Sequence, residues 1–202
     1  MDNARDIVLA EQNDSVFAFV INLASEDITL YRFGTSISSG PISGFNESII
    51  EDSNLLNNSS ALEVVKYCDE WLVFVSSFAT DNIVRVNMGN LSVSATAELL
   101  GANGSVGNPQ TLELVTDAGQ WHIFIKTTQG GGIVRGDFGS DLLSNPSYSS
   151  HGTYGGTING GLSFSLDIVK DSSRWYCFVA NSQNNSERIV RLAYPNNSGV
   201  NQ

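Results

Sequence analysis

The sequence predicts an all-β protein built as a β-propeller, with four blades of about 50 residues each and the last blade incomplete. Three observations carry this. One unit occurs four times, and the phenylalanine of its second apolar run returns at Phe19, Phe74, Phe124 and Phe178, at steps of 55, 50 and 54 residues. The apolar runs are short, rich in β-branched and aromatic residues and bounded by Gly, Asn, Asp or Ser, as strands are and helices are not. The first two runs of a unit are joined by a tight polar turn, as in Asp117-Ala118-Gly119-Gln120 and Asp171-Ser172-Ser173-Arg174, which makes them an antiparallel hairpin.

The first strand of each unit opens as Ile7-Val8-Leu9-Ala10, Leu62-Glu63-Val64-Val65, Leu112-Glu113-Leu114-Val115 and Leu166-Asp167-Ile168-Val169. The second reads Val16-Phe17-Ala18-Phe19-Val20, Trp71-Leu72-Val73-Phe74-Val75, Trp121-His122-Ile123-Phe124-Ile125 and Trp175-Tyr176-Cys177-Phe178-Val179. It is apolar at successive positions, so both of its faces must be covered, as for a central strand in a sheet packed between like sheets. The third begins at Ile28, Ile83, Ile133 and Ile189 and closes on Phe-Gly or Met-Gly in three units, with Tyr194-Pro195 in the fourth. A weaker fourth strand is expected around Pro41 to Phe45, Ala95 to Leu100 and Pro146 to His151. The whole chain, residues 1–202, then reads as a single propeller with blades at approximately 6–60, 61–110, 111–163 and 164–202. A parallel β-helix is the competing repeat architecture, but its rungs are shorter and lack the Trp-x-x-Phe hairpin.

Hydrophobic residues make up 41% of the 202 and charged residues 15%, enough apolar content for a real core. The net charge of -11 and the lack of any Lys/Arg cluster argue against a nucleic-acid binder or an anionic-membrane binder. No apolar run reaches the roughly 18 residues of a spanning helix, so no membrane insertion is expected, and no signal peptide is visible behind Met1. Cys68 and Cys177 lie far apart, and His122 and His151 are the only histidines, so no metal site and no cofactor is expected. Cys177 reads as a small buried hydrophobe. The Asn-x-Ser matches at Asn46, Asn58 and Asn103 read as surface loops in a chain rich in Asn and Ser.

The units "LEVV…WLVFV…NIVRVNMG…LLGANG" and "LDIVKDSSRWYCFVANSQNNSERIVRL" resemble the propeller repeats of large bacteroidete surface proteins, whose architecture is NHL-like. The resemblance covers nearly the whole chain. It implies a binding or adhesion scaffold at an extracellular or virion surface, and it transfers no catalytic residue.

Three units place an acid second in the first strand (Glu63, Glu113, Asp167) and an arginine third in the third strand (Arg85, Arg135, Arg191), while the first unit has Val8 and Leu30 there. Joint presence and joint loss point to structural ion pairs, whose breakage is costly. The functional reading is an acidic ring along a central tunnel that attracts a cation such as Ca²⁺, but three carboxylates without further donors would under-coordinate it. Trp71, Trp121 and Trp175 recur in register with the four phenylalanines and are expected in the core. Phe45, Tyr148 and Tyr154 lie between units and are the candidates for ligand contact, as stacking platforms for a sugar ring. Gln129-Gly130-Gly131-Gly132 joins two strands without a following Lys or helix and reads as a turn.

No catalytic constellation recurs at one loop edge, so the sequence alone reads as a non-catalytic binding or structural scaffold making protein contacts, not an enzyme. A carbohydrate-binding, lectin-like propeller is the alternative, and a propeller glycosidase built on the scattered acids is the second. The strand Ile189 to Tyr194 is expected to present an open edge completed by a protein partner or a further chain, because the six residues before Ile7 and the polar tail from Pro195 are poorly suited to supply a strand. A glycan is the other expected partner.

Overall fold

The computed structural model describes residues 3–42, 46–52, 54–91, 95–101, 106–128, 132–153, 163–172, 174–181 and 188–194. The described residues form four antiparallel sheets, and the only helical element among them is a single 3-10 turn at Ile37–Ser39. The first sheet holds β1 (Ala4–Gln12), β2 (Ser15–Asn22), β3 (Asp27–Gly34) and β4 (Asn46–Glu51). The second holds β5 (Ser59–Tyr67), β6 (Glu70–Ser77), β7 (Asn82–Asn87) and β8 (Thr96–Leu100). The third holds β9 (Pro109–Asp117), β10 (Gln120–Thr127), β11 (Gly132–Gly139) and β12 (Ser147–Thr153). The fourth has three described strands, β13 (Ser163–Asp171), β14 (Arg174–Asn181) and β15 (Arg188–Tyr194). Strands follow one another in sequence order within every sheet, which is the meander of a propeller blade.

The first hairpin of each sheet is closed by two residues, with Gln12 paired to Ser15, Tyr67 to Glu70, Asp117 to Gln120 and Asp171 to Arg174. Both turn residues have positive φ at Asn13 and Asp14 (50° and 58°), Cys68 and Asp69 (50° and 65°) and Ala118 and Gly119 (49° and 78°). This is the turn whose twist matches the flanking strands, and it explains why short polar residues and glycine gather there. The chain also shifts register near the start of each first strand, between Ala4 and Asp6, Ser59 and Ala61, Pro109 and Thr111, and Ser163 and Ser165. Such bulges bend the strand and redirect the side chain of the extra residue.

One strand differs from its expected place. The fourth strand of the first sheet is Asn46–Glu51 rather than the region of Pro41 to Phe45. Ahead of it the chain is held in a turn: Ser38 N donates to Ser36 Oγ at 3.2 Å and Ile42 N to Arg32 O at 2.7 Å, so ladder pairing with β3 begins only at Asn46, opposite Tyr31. Phe45, Tyr154 and the tail from Pro195 lie outside the described residues.

The chain forms two compact units, residues 1–100 and 101–202. In the first unit the core lies between the first and second sheets, where Phe19, Ile21 and Ile28 meet Leu62, Trp71, Val73, Val75 and Met88. The rings of Phe19 and Trp71 have centroids 6.0 Å apart at 38°, within the range of favourable aromatic pairs. In the second unit Val115, Phe124 and Ile133 pack against Leu166, Ile168, Trp175, Cys177, Val179 and Val190. In both units the phenylalanine face of one sheet thus meets the tryptophan face of the next. Phe19, Phe74, Phe124, Trp71 and Trp175 are buried. Phe178 and Trp121 are half-buried. For Phe178 the reason is its face: within its unit no described sheet covers it, and its neighbours Val169 and Ile189 are exposed, Ile189 to 73%.

A first-strand carboxylate row and the inter-blade polar contacts

Register brings the repeated acids and arginines onto one line. Glu63 pairs with Phe74 and Phe74 with Arg85, Glu113 with Phe124 and Phe124 with Arg135, and Asp167 with Phe178 and Phe178 with Arg191. Directly paired residues project from the same face of a sheet, so each acid and each arginine flank one phenylalanine. In the first sheet the same line reads Val8, Phe19, Leu30. The acids stand on the first strands, and the first strands of neighbouring sheets run beside each other in both units, β1 next to β5 and β9 next to β13.

The arginines have near partners on their own side of the phenylalanine. Arg85 donates through Nη2 and Nε to Glu98 Oε1, at 2.6 and 3.1 Å, from a position almost closed to solvent. Arg135 donates to Asp137 Oδ2 at 2.9 and 3.1 Å, and the other oxygen of Asp137 lies 2.5 Å from His122 Nδ1. Arg191 lies 5.5 Å over the ring of Tyr176. Glu98, Asp137 and His122 escape a repeat-based reading because they depart from the repeat: His122 stands where the other units have Phe17, Leu72 and Tyr176. That departure was itself the available signal. The register is compatible with pairing of Glu63 with Arg85, Glu113 with Arg135 and Asp167 with Arg191 across the phenylalanines, which we retain as a proposal.

In the second unit Glu113 and Asp167 act on one point. Both raise the pKa of Cys177, which burial, the larger cause, together with these two carboxylates pushes up to about 12. The thiol is therefore neutral and inert, and the two carboxylates share its neighbourhood. Cys68 is exposed, and both cysteines are free. One row along the same face as Glu113 and Phe124 stands Lys126, fully buried, whose Nζ donates to Gln110 Oε1 at 3.1 Å. Burial pushes its pKa down to about 8. Gln110 is the bulged residue of β9, and in the second sheet the corresponding residues, Ser60 and Ser76, are linked hydroxyl to hydroxyl at 3.0 Å. The bulge therefore ties the first strand to the second beside the acid row.

Tyr148, a candidate for ligand contact, pairs with Gly136 and packs its ring over that glycine: a Cβ there would lie 2.9 Å from Tyr148 Cε1 and 2.8 Å from Ile123 Cγ2. At least one ring edge is thus committed to the sheet. Among the described residues no group of three or more His, Cys, Asp or Glu is placed to hold a metal ion, and no helix is long and apolar enough to cross a membrane.

No protein-family model matches the chain, and no curated protein matches it in sequence. Solved structures do match. A thermostable family-43 glycoside hydrolase superposes with a TM-score of 0.64 at 13% identity, over 99% of this chain and 71% of that one. An α-L-arabinofuranosidase from Podospora anserina gives 0.62 at 10% identity, over 96% and 64%. An endo-1,4-β-xylanase from Bacteroides thetaiotaomicron gives 0.59 at 12% identity, over 97% and 70%. The chain thus spans between 64% and 71% of the length of these proteins. At such identities the likeness establishes the fold, an all-β propeller.

These findings correct the reading made from the sequence. The repeats resemble those of bacteroidete surface proteins only as far as the propeller fold, since the structures found are glycoside hydrolases. The non-catalytic scaffold, the structural or virion component and the assignment as no enzyme are overturned by the same structures. The physical reason for the error is that repeat spacing reports how blades pack, and packing is common to propellers that bind and propellers that cleave.

Proposed function

We propose that the protein is a propeller glycoside hydrolase whose acid and base are drawn from the first-strand carboxylates, with Glu113 and Asp167 as the pair in the second unit. The observation that carries the reading is the placement of these two acids on adjacent first strands, with Cys177 in the field of both. The likeness in fold to arabinofuranosidase, xylanase and galactosidase structures supports it.

Glycoside hydrolysis needs two carboxyl groups on opposite sides of the scissile bond. One protonates the leaving oxygen, and the other either activates water or attacks the anomeric carbon. Asp167 is solvent-exposed and Glu113 half-buried, which gives the two acids different environments, the condition under which a pair can divide into acid and base. Lys126 adds a buried amine one row from Glu113.

The substrate class follows the neighbours: arabinose-, xylose- or galactose-containing glycans. The experiment is hydrolysis of aryl α-L-arabinofuranoside, β-xyloside and β-galactoside by the full chain, with Glu113→Gln and Asp167→Asn as variants. Each variant is expected to lower kcat by about 10²- to 10⁴-fold with an unchanged circular dichroism spectrum. Activity retained in both variants, or none in the parent on any of the three substrates, would refute the assignment.

A further inference from the structure

Two sheet faces meet solvent with apolar residues on them, one in each unit. In the first unit Val8 and Ala10 of β1 pack into the core against the second sheet, and the alternate residues Ile7 and Leu9, on the opposite face, are 59% and 56% exposed. In the second unit the fourth sheet turns Ile168, Trp175, Cys177 and Val179 toward the third, and its opposite face carries Val169, Tyr176, Phe178 and Ile189. The isoleucine that opens the third strand is fully buried at Ile28, Ile83 and Ile133 but 73% exposed at Ile189. The arginine two residues on is buried at Arg85 and Arg135 and exposed at Arg191. An apolar row that is buried in the other sheets is thus open in the fourth, the mark of an interaction surface.

The two open faces are of the kinds that stack inside each unit. There the phenylalanine face of one sheet receives the tryptophan face of the next, with Phe19 and Trp71 in one core and Phe124 and Trp175 in the other. Phe178 marks the open face of the fourth sheet as the first kind. The open face of the first sheet is the second kind, with Val16 in the place of Trp71 and Trp175. Where the repeat has an indole, a groove of about 560 Å³ lies among Leu9, Glu11, Val16, Ser36 and Ile37. It has room for the rings of Tyr176 and Phe178.

Charge at the hairpin corner extends the match. In the second unit Lys170, which pairs with Trp175, reaches Asp117, the last residue of β9, at 2.8 Å. Glu11, which pairs with Val16, holds the place of Lys170 in the first sheet. The last residue of β13 is Asp171, paired with Arg174 on the same face. Glu11, Asp171 and Arg174 are all exposed. In the stacked arrangement Glu11 meets this corner, where Arg174 attracts it and Asp171 opposes it. We propose that the open face of the fourth sheet docks on the open face of the first sheet of a second copy of this chain, with Arg174 against Glu11 and the two aromatic rings in the groove beside Val16. Because the two faces differ, the contact is head-to-tail, and it closes into a ring of copies or grows as a filament. The net charge of -11 opposes association at long range, so the contact belongs to physiological salt, where charges beyond about 8 Å are screened.

The test is sedimentation velocity of the full chain from about 5 to 500 µM in about 0.15 M salt. Oligomers at whole multiples of the monomer mass, rising with concentration, are expected. Arg174→Glu is expected to weaken association at least about tenfold, and adding Glu11→Lys to it, which exchanges the charges, to recover it. Asp171→Asn removes the opposing charge and should strengthen association about two- to fivefold. Ile189→Asp should abolish it by placing a charge in the apolar row. Each residue changed is exposed, so circular dichroism and the melting temperature of the variants should match the parent. A monomer throughout the concentration range would overturn the proposal, whatever other partner covers these faces. So would parental association in Arg174→Glu or Ile189→Asp, or a double variant as weak as Arg174→Glu.

Discussion

The indole nitrogen of Trp175 donates a 3.0 Å hydrogen bond to Oδ2 of Asp117, joining the second strand of the fourth sheet to the end of the first strand of the third. Lys170 completes the contact: its Nζ lies 2.8 Å from the other carboxylate oxygen and 5.3 Å over the Trp175 ring. In the first unit the equivalent residues repeat the bond, with the Trp71 indole donating to Gln12. The recurring tryptophan is therefore more than core volume. At Trp71 and Trp175 the N–H locks one blade onto the last residue of the neighbouring first strand, and the acceptor varies between carboxamide and carboxylate.

Asp117→Ala is expected to destabilise the protein by about 1–3 kcal/mol, because it strands a part-buried indole N–H. Lys170 holds the Asp117 pKa below the usual carboxylate value, opposed by burial and assisted by Trp175. A carboxylate depressed on folding stabilises above its ordinary value of ~3.9 and loses that contribution as the pH falls through the folded value. Denaturant midpoints measured from pH 7 down to pH 3 should therefore fall less steeply at the acid end in Asp117→Asn than in the parent.

Phe124 is buried in the core of the second unit, whereas Phe178 is half-buried on an uncovered face. Phe124→Ala should cost about 3–5 kcal/mol by cavity formation. Phe178→Ala should cost clearly less, about 1–2 kcal/mol for a partly exposed ring. Urea unfolding of the two variants checks the contrast, and equal losses would mean that something covers the Phe178 face in solution.

Gly136 has no room for a side chain, with Ile123 Cγ2 and Tyr148 Cε1 both inside 3 Å of an added Cβ. Gly136→Ala should destabilise by about 1–3 kcal/mol through overpacking. A Gly136→Ala/Tyr148→Ser double variant should recover part of the loss, as read from thermal melts.

Ala118 occupies the first position of a two-residue hairpin turn at φ 49°, a conformation in which an L side chain is disfavoured. Ala118→Asn supplies the residue that tolerates it and should raise stability by about 0.5–1 kcal/mol. The increase should appear as a higher urea midpoint at unchanged slope.

The blade plan was legible in the chain because it is local. Strand composition, two-residue turns and a repeated Trp-x-x-Phe hairpin specify the meander of each sheet, and the recurrence of Phe19, Phe74 and Phe124 marks the face that meets the next tryptophan. The alignment of Glu63 with Arg85 and of Glu113 with Arg135 followed from the same register. The partners Glu98 and Asp137 did not, because they lie in positions that the repeat leaves variable. Tertiary structure alone decided two matters. It set Cys177 among the charges of Glu113 and Asp167, which come from strands more than 50 residues apart. It buried Lys126 against Gln110 through a strand bulge that no composition rule announces. Repeat patterns encode how identical faces stack, whereas a site arises where one copy departs from the others, and what such a departure meets depends on residues distant in the chain.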